Sequence, residues 1–384
     1  MKSITSIFFF FFTFLSLLSC KKDSPQQLKK LEDLFSYSKY SVDTTIRLVD
    51  TARNRTLVNR APFVANDNFN GYGFPTVLVL DKDHLLMAVS RYVKLTDWGT
   101  ADIVAKESFD NGQTWTDEVV IQKNIGNIQT AAPSLLRIND TTIGLFFSVK
   151  NSASSCDVYF KVSGDNGRQW GEPRKINTME GYNTMNNDRV IKAGTRIIIP
   201  VGYTTDVDHW SDKSGCFCYY SDDEGATWQR SKTISTTVPL MEPGVVRIGE
   251  TNELLMVMRS VAGSIIISRS YDLGYSWTTP TLTGLQSPES PSTISQVKGT
   301  DKLVLAWNNN KFNFAYRYTN RFPLTVAFSS DKGKTWKNGY NIEWLSSIDY
   351  SYPAFFQNEN KTYFFYNVSP HGSKRILTRL VEIE

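Results

Sequence analysis

This sequence predicts an all-β chain folded as a six-bladed β-propeller, and three observations carry the prediction. The first is an eight-residue phrase, Ser-x-Asp-x-Gly-x-x-Trp, present at Ser108–Trp115, Ser163–Trp170, Ser221–Trp228, Ser270–Trp277 and Ser329–Trp336. Its start-to-start spacings of 55, 58, 49 and 59 residues mark repetition of one structural unit. The second is the material between the phrases: short β-branched, aromatic or alternating runs such as Thr76–Leu80, Leu85–Ser90, Ile103–Ser108, Ile143–Val149, Val158–Val162, Arg196–Val201 and Leu254–Arg259, with no helical period over 12 residues. The third is a polar or proline-bearing opening before each unit, around Pro75, Pro133, Arg189, Pro243, Pro291 and Pro353. Six openings against five phrases suit six four-stranded units in a ring better than a seven-bladed ring or a β-sandwich.

The phrase, called the box below, has a local physical reading. Its aspartates (Asp110, Asp165, Asp223, Asp272, Asp331) are placed to accept backbone N–H groups of a tight turn. The glycine two positions on supplies positive φ. The tryptophan then begins the next strand and packs under the hairpin. The boxes are read as fold staples, without a catalytic role.

The chain opens with a targeting segment, to be set aside from the fold. Lys2 is followed by an apolar run, Ile4 to Leu18, too short for a spanning helix. It ends in Leu17-Leu18-Ser19-Cys20, which resembles a bacterial lipoprotein signal, whose cysteine is lipidated and becomes the mature N-terminus. The expected organisation is a signal over 1–19, a polar tether over 20–40 and one propeller domain over 41–384. The protein is then exported and lipid-anchored at Cys20, on the periplasmic or surface side of an outer membrane.

Composition narrows the function classes. With 41% hydrophobic and 21% charged residues the chain is an ordinary globular protein, and its formal charge of +4 is diffuse. Nothing points to nucleic acid. After Cys20 only Cys156, Cys216 and Cys218 remain, too few for a disulfide framework, and Cys-Phe-Cys is not a metal-ligand spacing. His84, His209 and His371 form no His-x-x-x-His pair, which argues against zinc. No phosphate loop or Gly-x-Ser-x-Gly elbow is present, and no cofactor is expected.

The sixth unit, about Tyr350 to Ile383, lacks a box. Strands are expected near Ala354–Gln357, Thr362–Asn367 and Arg375–Ile383, with the alternating run Thr44–Val49 as the strand that closes the ring and removes a free edge. In a propeller the first strands line the channel and ligands bind at one end of it, so function is sought at the openings.

The openings carry a second layer of sequence. Met241-Glu242-Pro243-Gly-Val-Val-Arg-Ile is followed by Leu254-Leu-Met-Val-Met-Arg259, which puts Arg259 17 residues after Glu242. Arg321-Phe-Pro-Leu-Thr-Val-Ala-Phe-Ser329 runs into the last box, and Asp349-Tyr350-Ser351-Tyr352-Pro353 opens the last unit. With the boxes, these stretches resemble the sialidase (neuraminidase) superfamily, of the bacterial sialidase-like lipoprotein type, over about Asn70 to Glu384. The resemblance implies a nucleophilic tyrosine at Tyr350, polarised by Glu242, with Arg259 and Arg321 binding a substrate carboxylate. Tyr352 lies two residues on, would share a strand face with Tyr350 and competes for that role. Asp97, in Thr96-Asp97-Trp98-Gly99, matches the acid/base aspartate by its distance before the first box, and Asp102 is a second candidate. One position departs from the pattern. Where the family opens its first blade with Tyr-Arg-Ile-Pro, this chain reads Tyr72-Gly73-Phe74-Pro75, so a third carboxylate-binding arginine is missing. Arg91, or Arg189 in Asn186-Asn187-Asp188-Arg189, is the expected replacement.

These residue types belong together chemically. A 2-keto sugar acid carries a carboxylate on its anomeric carbon, so a carboxylate nucleophile would be repelled, whereas a tyrosine deprotonated by a neighbouring glutamate would not. Arginines stay charged and bind carboxylates bidentately. Against this stands a structural reading, in which Glu242 with Arg259, and Asp188 with Arg189, are ion pairs lining the channel. The expected function is an exo-acting glycoside hydrolase releasing a terminal anionic sugar, sialic acid or a related 2-keto acid, from a glycan partner. Its rivals are a uronate lyase using a tyrosine or His209 as base, and a glycan-binding lipoprotein without turnover.

Overall fold

The runs from Thr76 to Arg259 named above become strands, because alternate side chains bury on one face while the backbone pairs across the sheet. The structure, a computed structural model, describes residues 59–208, 214–313, 320–359, 361–370 and 377–383 and the short strands Arg47–Leu48 and Arg53–Asn54. Its strands group into six antiparallel four-stranded units.

Unit 1 is Gly71–Asp81, His84–Tyr92, Ala101–Ser108 and Val119–Gln122; unit 2 is Gln129–Arg137, Ile143–Ser152, Ser155–Ser163 and Arg174–Lys175. In unit 3 the first strand is split into Tyr182–Thr184 and Ile191–Ala193, before Arg196–Thr204, Gly215–Ser221 and Gln229–Arg230. Cys156 pairs with Tyr182, which joins units 2 and 3 into one hydrogen-bonded sheet. Unit 4 is Met241–Arg247, Leu254–Arg259, Ser264–Ser270 and Thr281–Gln286; unit 5 is Thr293–Gln296, Leu303–Asn308, Leu324–Ser329 and Thr335–Glu343. Unit 6 is Ile348–Asn358, Lys361–Pro370 and Leu377–Ile383, completed by Asn59–Val64 from the start of the chain.

That last pairing corrects the expected closing strand. Of the Thr44–Val49 run, Arg47–Leu48 pairs in parallel with Thr335–Trp336 in unit 5, and the rest lies outside the described residues. Asn59–Val64 closes unit 6 because Phe63 can be buried there, its ring 5.3 Å from that of Tyr72. Its proline sits where the register slips by one residue, on an edge strand that has no need of the missing N–H. The proposed signal and tether, 1–40, also lie outside the described residues. The described residues belong to one compact unit, Tyr37–Glu384.

The core is spread between neighbours instead of concentrated at one centre. Separate apolar clusters join unit 6 to unit 1 (Phe63, Leu85, Phe365), unit 1 to 2 (Ala88, Leu145, Phe147), 2 to 3 (Phe146, Phe160, Ile199, Phe217), 4 to 5 (Val257, Leu303, Trp307) and 5 to 6 (Val326, Tyr350, Phe364). Each such fully buried side chain contributes about 1.5–3 kcal/mol.

Register fixes which end of each unit is which. Each box serine pairs with the residue near the start of the second strand: Leu85 with Ser108, Ile143 with Ser163, Ile197 with Ser221, Leu254 with Ser270 and Leu303 with Ser329. The openings pair with the other end of that strand, as Gly71 does with Tyr92. Boxes and openings therefore lie at opposite ends of their units. In the boxes the turn reading holds: Ser221 donates to Asp223, Asp223 accepts Thr227 N at 2.8 Å, and Gly225 has φ of 89°. The tryptophan does not begin the next strand as expected, except at Trp336; the others precede it by one to four residues. The tryptophan lies beneath its own glycine, with Trp228 Cζ2 3.3 Å from where a Cβ on Gly225 would be.

Candidate active site

At the opening end, one irregularity recurs. The first strands of units 1, 2, 4 and 6 each carry one extra residue relative to their partners, between Gly73 and Thr76, Ala131 and Ser134, Met241 and Gly244, and Ser351 and Ala354. Within each bulge the residue before proline has positive φ: Phe74 59°, Ala132 56°, Glu242 40° and Tyr352 56°. In unit 3 the corresponding residue is Asp188, at 55°. This conformation costs a residue with a Cβ about 1–2 kcal/mol. Its effect is to turn one side chain per unit out of the strand's alternation.

Two of those side chains meet. Tyr352 Oη donates to Glu242 Oε1 at 3.3 Å, and the other oxygen of Glu242 receives Arg259 Nη1 at 2.5 Å. Arg259 Nη2 reaches Glu289, a fully buried carboxylate, at 3.2 Å. The Arg321 guanidinium carbon lies 5.4 Å from the centroid of the Tyr352 ring, whose other neighbour is Phe74 at 4.3 Å. Burial acts to raise the Glu242 pKa, but Arg259, Arg321 and Arg189 reverse this and hold the carboxyl below its ordinary value. Burial and then the Glu242 charge push the Tyr352 phenol up, with Arg321 and Arg259 opposing. The resting pair is thus a carboxylate facing a protonated phenol.

Tyr350 is elsewhere, and of the two tyrosines it is Tyr352 that meets Glu242. Its ring is fully buried in the cluster between units 5 and 6, 6.3 Å from that of Tyr366. The reason is the bulge between Ser351 and Ala354. On an unbroken strand Tyr350 and Tyr352 would face the same side; the inserted residue and the positive φ at Tyr352 separate them. A sequence signal for this exists in Ser351-Tyr352-Pro353, which aligns with Met241-Glu242-Pro243 on its proline.

A cleft of about 320 Å³ opens beside the pair, lined among others by Phe74, Asp97, Trp98, Lys150, Glu242 and Tyr352. Asp97 sits at it on the loop between the second and third strands of unit 1. That loop folds on itself through Thr96 N to Lys94 O at 2.9 Å and Gly99 N to Thr96 O at 3.0 Å. Lys150, Trp98 and Glu289 were not singled out from the sequence. Lys150 is visible there only as a charge ending the apolar run Ile143–Val149, and Glu289 as a carboxylate beside Pro288 in the fifth opening. Cys156 also lines the cleft, but burial pushes its thiol up to about 12, which makes it inert as a nucleophile.

The expected replacements for the third arginine do not reach the cleft. Arg91 is paired with Glu118 at 2.7 Å and Asp102 at 3.2 Å, and lies over the Phe69 ring. That pairing also takes Asp102 out of contention. Arg189 is buried inside the molecule, donating to Thr293 Oγ1 at 2.6 Å and the Ser292 carbonyl at 2.9 Å. Beside it Asp188 accepts Thr76 Oγ1 at 2.8 Å and Phe355 N at 3.0 Å, and Asn187 Nδ2 donates to the Pro75 carbonyl. This Asn-Asn-Asp-Arg segment ties unit 3 to units 1, 5 and 6, a plug of hydrogen bonds between units. At Gly73 an added Cβ would stand 3.2 Å from Asn367 Nδ2, so an asparagine backs the position that lacks the arginine. His209 lies outside the described residues.

Comparison with known proteins agrees with this architecture. The family model of the BNR repeat-like domain matches residues 99–365. Among solved structures, the NanB sialidase of Streptococcus pneumoniae aligns with a TM-score of 0.68 at 13% identity, over 85% of this chain and 70% of that one. A leech intramolecular trans-sialidase, complexed with 2,7-anhydro-Neu5Ac, aligns with a TM-score of 0.70 at 13% identity, over 86% and 70%. A protein of unknown function from Dyadobacter fermentans aligns at 0.69 and 18% identity, over 86% of this chain and 99% of that one. Repeated boxes, antiparallel units and the family match lead to one conclusion: this chain belongs to the BNR repeat-like domain family and has the sialidase-type β-propeller fold.

Proposed function

We propose that the protein is an exo-acting glycoside hydrolase that releases a terminal 2-keto sugar acid, sialic acid or a close relative, from a glycan. The observation that carries this reading is the Tyr352–Glu242 hydrogen bond, with Arg259 on the far oxygen of the same carboxylate. In the proposed reaction Tyr352 Oη attacks the anomeric carbon and its proton passes to Glu242. The glycosidic C–O bond breaks as Asp97 protonates the leaving oxygen. Water then attacks the glycosyl-tyrosine, Asp97 takes its proton, and Glu242 returns a proton to the departing phenol. Arg321 and Arg259 hold the sugar carboxylate, a task for which two guanidinium groups suffice in binding though not with the strength of three. The sialidases among the structural neighbours support the same substrate class.

The test is product analysis with trapping. Incubation with a sialylated oligosaccharide is expected to release the free sugar acid without ultraviolet-absorbing product. A fluorinated glycosyl fluoride of the same sugar is expected to label the peptide carrying Tyr352. An unsaturated product would instead establish the uronate lyase, and saturable binding without turnover the glycan-binding role.

The same proposal places the enzyme on a membrane through a lipid at Cys20, motivated by Leu-Leu-Ser-Cys20. Cys20→Ala is expected to release the protein into the soluble fraction; a wild-type chain that never takes up labelled fatty acid would remove the anchor.

A further inference from the structure

Lys150 stands out among the buried charges. It is 5% exposed at the end of Ile143–Ser152 and lines the cleft. Among the described residues no carboxylate oxygen lies within ion-pair distance of it. Burying an ammonium costs several kcal/mol unless its surroundings compensate, and here burial holds its pKa below the ordinary value, the charges of Asp97 and Asp208 compensating only in part. Nζ donates to the backbone carbonyl of Asp97 at 2.8 Å, lies 3.9 Å from the centroid of the Trp98 ring, and has the Tyr182 ring at 5.6 Å. A cation–π contact strengthens when it is desolvated, as this one is. The two strongest partners are consecutive residues of a loop that belongs to another unit.

That loop is compact in itself. Besides its two internal turns, Val93 N reaches Thr100 O at 3.2 Å, and a Cβ on Gly99 would collide with the Lys94 carbonyl. Within unit 1 the loop also packs through Leu95 against Gly71. From unit 2, Lys150 adds a polar contact to it.

We infer that Lys150 is a positioning residue: clamped on the Asp97 carbonyl and the Trp98 ring, it holds the acid loop of unit 1 over the cleft so that the Asp97 carboxyl meets the leaving oxygen. This rests on the glycosidase reading, with Asp97 as general acid. A positioning residue for a proton donor leaves a kinetic mark that a merely structural residue does not. A phenol of low pKa departs without protonation, whereas a sugar alcohol does not, so loss of the clamp falls on one substrate and spares the other.

Lys150→Met keeps the length of the side chain and removes the charge. With a 4-methylumbelliferyl sialoside its kcat is expected to stay within about threefold of wild type, and with sialyllactose to fall by about 10²-fold, the contribution of a general acid. Lys150→Arg, which retains a cation over the ring, is expected to recover most of the loss. Equal loss on both substrates, or none on either, overturns the inference while leaving the glycosidase reading intact. A wild-type enzyme inactive on both removes support for that reading and is settled separately by hydrogen exchange. In Lys150→Met the amides of Val93, Thr96 and Gly99 are expected to exchange about tenfold faster at an unchanged melting temperature. Unchanged exchange overturns the clamp whatever the activity.

Discussion

The two ends of each unit are made by the same chain reversals, yet they differ in how their polar groups are satisfied. At the box end the partners of the repeated aspartate are local. Asp110, Asp223 and Asp331 each accept a hydroxyl and an N–H from within four residues, and the pattern repeats five times. At the opening end the equivalent position holds a different residue in each of units 1, 2, 3, 4 and 6: phenylalanine, alanine, aspartate, glutamate, tyrosine. Their partners are distant, with 110 residues between Tyr352 and Glu242 and 167 between Asp188 and Phe355. Repetition of the residue marks a scaffold. Repetition of the backbone geometry with a changing side chain marks a site.

The sharpest way to break this comparison is to exchange effects between the two tyrosines. Tyr352→Phe is expected to lower kcat by about 10³-fold or more, the scale on which loss of a nucleophile is felt, with little change in melting temperature. Tyr350→Phe is expected to leave kcat within about twofold and cost about 1 kcal/mol, the worth of a buried hydroxyl's hydrogen bond. The reverse pattern would return the nucleophile to Tyr350.

A box substitution is expected to show the opposite separation. In Gly333→Ala the methyl group meets φ of 81° and a Leu255 methyl at 2.8 Å. Destabilisation of about 1–2 kcal/mol is expected from the backbone alone, more with the clash, and kcat should be unmoved. A fall in kcat at constant stability would give the box end a functional role.

The smallest effect expected is on stability against pH, and its sign differs between the ends. Burial lifts the Asp188 carboxyl to about 6 from an ordinary 3.8. Between these values the folded chain holds a proton that the unfolded chain has lost, so this group's contribution declines as pH rises from about 4 to 6. Hydrogen bonds from Thr114 and Thr227 hold Asp110 and Asp223 down at about 2. Their contribution is present above the ordinary value of 3.8 and is lost as pH falls towards 2. Thermal melts against pH should lose the first slope in Asp188→Asn and the second in Asp110→Asn with Asp223→Asn. Identical slopes in all three variants would contradict the contrast.

What the sequence determined by itself is what its own neighbours satisfy. The boxes, the strand-rich repeat, the six openings and the positions of Glu242, Arg259 and Arg321 were readable, because each depends on residues a few places apart or on a motif carried whole. The tertiary structure decided the rest. It chose Asn59–Val64 over the Thr44–Val49 run as the closing strand, since what matters is whether Phe63 finds a core against unit 1. It sent Arg189 into a plug and Arg91 into a pair with Glu118, because a cation settles on whichever partner the packed units bring nearest. It gave Lys150 a carbonyl and an indole from another unit. And it separated Tyr350 from Tyr352, because a single inserted residue reverses which face a side chain takes; Pro353 marks the place in the sequence, and the pairing of Ser351 with Asn367 and Ala354 with Phe365 shows the insertion itself.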